Sequence, residues 1–84
     1  MSNVSNLPAE IAPYVTRTVA DANGPKHFLR NGNRAATVDV LGPRWFVQLH
    51  VVEGDRHRFH DARSYRSEPR MVAWLREWLE EVER

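Results

Sequence analysis

The chain has 84 residues, with 12 basic against 11 acidic side chains, a formal net charge of +1 and no cysteine. This length argues for one domain and leaves no room for a multidomain enzyme, and the absence of cysteine excludes a disulfide-stapled scaffold. The longest apolar run is five residues, Met71 to Leu75, against the roughly 20 that a spanning helix needs, and no basic start plus apolar run reads as a secretory leader, so the expectation is a soluble, cytoplasmic protein without membrane contact.

Residues 1–25 form an N-terminal segment of uncertain structure. Ser2, Asn3, Ser5 and Asn6 suggest a loose start, and Pro8 suits the first turn of a short helix through Ala12 that Pro13 then interrupts. Residues 14–20 fit a helix as well as an alternating strand, and Asn23-Gly24-Pro25 marks a break.

Residues 26–84 read as a single domain. Asn31-Gly32 is a hairpin signal, Gly42-Pro43 suits a type II′ turn, and Glu53-Gly54-Asp55 reads as a three-residue loop. Residues 35–41, 44–52 and 56–62 are then strands. The two-residue turn at 42–43 sets Val40 opposite Trp45, Val38 opposite Val47 and Ala36 opposite Leu49. The loop at 53–55 sets Leu49 opposite Phe59. Because side chains alternate across a strand, both hairpins place Trp45, Val47, Leu49 and Val51 on one apolar face, with Val38, Val40 and Phe59. Ser67 then caps a helix whose Met71, Val72, Trp74, Leu75, Trp78, Leu79 and Val82 form one broad stripe able to cover that face. The expected architecture is α+β: an antiparallel β-meander of three or four strands, packed on one face by a C-terminal amphipathic helix.

Little here supports catalysis. Without cysteine there is no thiolate, Ser64 and Ser67 lack a nucleophile-elbow context, and the four glycines stand singly in turns rather than in a phosphate-cradling loop. His57-x-x-His60-Asp61 has metal-like spacing, but residues three apart on a strand point to opposite faces, and Arg56 and Arg58 would repel a cation. No enzymatic activity, cofactor or metal is expected. Trp45, Trp74 and Trp78 read as packing, and His57 as a hydrogen-bonded residue at the core margin.

The opposite face of the sheet is the candidate site. The same registers put Arg44, Phe46, Gln48, His50, Arg56, Arg58 and His60 there, with Leu41 and Val52, the arginine-plus-aromatic mixture of interface hot spots. Residues 26–66 carry eight basic and four acidic side chains, and residues 67–84 three and five, which suggests a basic sheet side and an acidic helix side. If residues 1–25 fold back over the sheet, this face is closed.

These features fit a small protein-binding module docking on an acidic protein surface, of the kind found among bacterial and phage accessory or inhibitor proteins. A homodimer burying the face against itself is a further expectation to check. The alternative is nucleic-acid binding. A meander with Trp45 in the second of its strands, Gly54 in the next turn and a helix after a polar loop looks like the layout of plant AP2 domains and phage-integrase arm-binding domains, over about residues 35–82. That resemblance implies a DNA-contacting sheet face but carries over no site residue. The +1 charge weighs against it, because phosphate contacts supply most nucleic-acid affinity.

Overall fold

Three glycine-first turns build the sheet. Gly32-Asn33, Gly42-Pro43 and Gly54-Asp55 each join two strands, and the glycines take φ of 63°, 62° and 62°, whereas no other residue type among the described residues has positive φ. Positive φ at the first central position alone is the type II′ signature, whose twist matches that of the antiparallel strands it connects.

The computed structural model describes residues 7–22 and 24–81. The loose start expected at residues 2–6, the break residue Asn23 and the stripe residue Val82 lie outside these. A short 3₁₀ helix (Ala12–Tyr14) precedes strands β1 (Val15–Asp21), β2 (Gly24–Asn31), β3 (Arg34–Leu41), β4 (Arg44–Glu53) and β5 (Arg56–Tyr65), followed by helix α1 (Glu68–Glu80). The strands form one antiparallel sheet in chain order.

The α+β meander with one covering helix is as expected, but the sheet has five strands rather than three or four. The two extra strands come from around the Gly24 break. The sequence at 15–21 is compatible with a helix or a strand, and the open edge of β2 decides for the strand by accepting its backbone groups in a ladder from Val15 to Asp21. Gly24 has φ of 134° and opens β2 with its Cα against the Val40 carbonyl, where a Cβ would collide with backbone. Pro8 opens no helix: the Ile11 and Ala12 amides both donate to its carbonyl at 3.1 Å, making a single turn.

The β3–β4 register is the expected one, with Val40 opposite Trp45, Val38 opposite Val47 and Ala36 opposite Leu49. β5 departs from expectation. Gly54-Asp55 is a two-residue turn, so Glu53 pairs with Arg56, Val52 with His57 and His50 with Phe59. One residue fewer in the loop turns the first half of β5 over. A β-bulge between Phe59 and Asp61 then restores the parity, and Leu49 pairs with Asp61.

Helix α1 covers the face carrying Val38, Val47 and Leu49. Ser67 caps it as expected, its Oγ accepting from the Arg70 amide at 3.4 Å, and Met71, Val72, Leu75, Trp78 and Leu79 are buried. Ile11 is also fully buried in this core, with Leu7, Tyr14 and Val15 packed against it. The N-terminal segment from Leu7 therefore reinforces the helix side.

The C-terminal end of α1 is pinned by the β2–β3 hairpin. Asn31 Nδ2 donates to the Leu79 carbonyl at 2.7 Å, Arg34 Nη1 to the Trp78 carbonyl at 3.2 Å, and Trp78 Nε1 to the Ala35 carbonyl at 3.1 Å. The last carbonyls of a helix have no partner within it, so Asn31 and Arg34 satisfy groups the helix cannot. Asn31→Ala should lower unfolding free energy by about 1–2 kcal/mol, the scale of an orphaned buried acceptor, measured by denaturant titration. Unchanged stability would show that the cap is incidental.

His27 is fully buried with Nδ1 2.9 Å from Thr18 Oγ1, while its Nε2 has no partner. Burial pushes its pKa below the ordinary 6.5, with the Asp39 carboxylate opposing in part. As pH falls through that ordinary value, the unfolded chain takes up a proton that the folded one resists, so stability declines on the acid side. Denaturation at about pH 7 and about pH 5 should show this loss, and His27→Asn should reduce it. An equal loss in the variant would assign it to other groups.

Candidate functional site

Alternation along the strands builds the uncovered face. In β4, Trp45 packs against the core and Val47 and Leu49 are within it, so Arg44, Phe46, Gln48, His50 and Val52 point the other way. In β2, buried His27 and Leu29 send Lys26, Phe28 and Arg30 outward, and β1 adds Arg17 opposite Phe28. None of the described residues before β1 lies over this face.

Four of the seven predicted site residues are on it: Arg44, Phe46, Gln48 and His50. The turned register moves the other three. Arg56 and Arg58 lie on the helix side, where Arg58 pairs with Glu53 at 3.1 Å, and the bulge residue His60 stacks on Trp78 with ring centroids 4.3 Å apart. In exchange, His57 and Phe59 face outward. Phe59 is no core residue: it is 59% exposed and meets His50 edge-on at 6.0 Å. His57 lies off the core margin, 6.4 Å from His50. A signal for this was present in the chain, because Gly54-Asp55 repeats the glycine-first pattern of Gly42-Pro43 and invites the same two-residue turn.

The face keeps its basic and aromatic character with partly different residues. The Arg17 guanidinium lies 4.7 Å over the Phe28 ring, and Lys26 approaches the same ring at 5.9 Å. Lys26 is also 4.0 Å from Asp39 across the β2–β3 pair. Leu41 is 41% exposed at the rim. The expected split into basic sheet side and acidic helix side is blunted, because Arg34, Arg56, Arg58 and Arg63 stand on the helix side, Arg34 and Arg63 over the rings of Trp78 and Trp74.

A shallow depression of about 490 Å³ lies on this face toward the β2–β3 and β4–β5 turns, lined by Phe28, Ala35 and Thr37 together with Arg17, Arg30, His50 and His57. Beneath its surface, Thr37 Oγ1 and His50 Nδ1 are shielded from water and have no hydrogen-bond partner. Burial first, and then the proximity of His57 and Lys26, hold the His50 pKa below its ordinary value. No cluster of three or more potential metal ligands occurs among the described residues, and none of their helices is long and apolar enough to cross a membrane. No family model, curated protein or solved structure matches the chain.

Exposure of Phe59 is directly testable. Phe59→Ser should change unfolding free energy by no more than about 0.5 kcal/mol, as for an ordinary surface site, whereas a core phenylalanine would cost about 3–5 kcal/mol on truncation. A loss in the second range would restore the three-residue-loop register.

Proposed function

We propose that this chain is a small non-enzymatic protein-binding module that docks its uncovered sheet face on an acidic surface of a partner protein and acts by covering or bridging that surface. Bacterial and phage accessory and inhibitor proteins work at this size. The observation that carries the reading is the composition of the one face that helix α1 leaves open. Phe59, Leu41 and Phe46 stand there among Arg17, Lys26, Arg30 and Arg44, with Asp39 beside Lys26. Aromatic side chains beside arginine supply apolar area and directed charge together, the pairing enriched where binding energy concentrates.

A second reading, nucleic-acid binding, draws on the same cations and on the exposed ring of Phe59 as a stacking surface. The net charge of +1 favours the protein partner, since the surplus available for phosphates is small.

The deciding experiment is affinity capture with and without nuclease, followed by a salt titration of the complex. A protein partner should survive nuclease and lose less than about tenfold in affinity between ~50 and ~200 mM salt, where a protein engaging 6–10 phosphates loses about 10³–10⁵. Phe46→Ala with Phe59→Ser should abolish capture while circular dichroism stays native. Retained capture in that variant, or a partner that vanishes with nuclease, would reject the proposal. A dimer in solution that dissociates in the same variant would show that the face is occupied by a second copy.

A further inference from the structure

Resting on that reading, we infer that the depression on the sheet face is a carboxylate-binding subsite, which receives a glutamate or aspartate side chain from an extended acidic segment of the partner. Its border carries Arg17, Arg30, His50 and His57 and no acidic residue. Both arginines are held in place before any ligand arrives. Arg17 is stacked on Phe28 at 4.7 Å, an arrangement that leaves the edge of the guanidinium fork free. Arg30 is tied through Nε to the Gly32 carbonyl at 2.9 Å, leaving its terminal nitrogens to donate. Among the described residues neither guanidinium has a carboxylate within ion-pair distance.

A planar fork with free parallel N–H groups matches a carboxylate, and pre-ordering reduces the entropy lost on binding. The floor suits the carbon stem of an acidic side chain, since Phe28 and Ala35 are apolar. Thr37 Oγ1 and His50 Nδ1 lie just below, shielded from water and without a hydrogen-bond partner, so polar groups with unmet capacity stand beneath the floor.

The test is NMR titration of the intact protein with acetyl-hexaglutamate-amide, following the Arg Nε–H and His ring signals. Arg17, Arg30, His50 and His57 should shift together and saturably. Arg17→Gln with Arg30→Gln should weaken binding about tenfold, and the helix-side control Arg58→Gln with Arg63→Gln less than about twofold. Equal weakening by the control would reduce the effect to net charge and overturn the subsite. Inorganic phosphate saturating the same signals as tightly would leave an adventitious ion only. Hexathymidylate binding there more tightly than hexaglutamate would assign the depression to nucleic acid. If the Arg17/Arg30 variant still captures the partner while the Phe46/Phe59 variant does not, the subsite fails and the docking face stands.

Discussion

A five-stranded sheet has two faces, and the described residues supply one α-helix to cover them. Everything else about the molecule depends on the contact that seats α1 on one of them, centred on Trp78. The indole donates to the Ala35 carbonyl, lies under the Arg34 guanidinium and stacks with His60, so one side chain ties the helix to β3 and to the bulge of β5. Arg34 and Asn31 bind the final carbonyls of the helix at the same place, which fixes its end as well as its face. Dispersion, a buried hydrogen bond and a cation over a ring act together there, and large side chains of this type dominate the energetics of small cores.

With α1 and the segment from Leu7 to Val15 committed to one side, the described residues leave only strand side chains on the other. That asymmetry links packing to function. A sheet face without a second layer holds aromatic rings at the surface unless cations cover them, and here Arg17 and Lys26 lie over Phe28 while Phe59 remains open. The outer strand β5 is guarded against pairing with other chains by its bulge and its arginines, the usual protection of an edge.

Much of this was legible in the chain because its determinants are local. Helix α1 follows from the spacing of Met71, Leu75, Trp78 and Leu79 and from the cap at Ser67, and the β3–β4 pairing from Gly42-Pro43 and strict alternation. Arg44, Phe46, Gln48 and His50 inherit their outward position from that alternation alone. Arg56, Arg58 and His60 do not, since their side depends on whether the loop at 53–55 contributes two residues or three, and then on a bulge that no local preference announces.

By itself, therefore, the sequence determined the class of fold, the face that meets the helix and half of the candidate surface, because turn chemistry and side-chain periodicity act over a few residues. Tertiary structure decided the rest. Residues 15–21 became a strand only because β2 presented an edge, and His60 left the outer face because a bulge aimed it at Trp78, a partner 18 positions away. The β1–β2 pairing and the β5 bulge are settled by neighbours distant in the chain, whereas the β3–β4 pairing follows from a turn whose residues are adjacent.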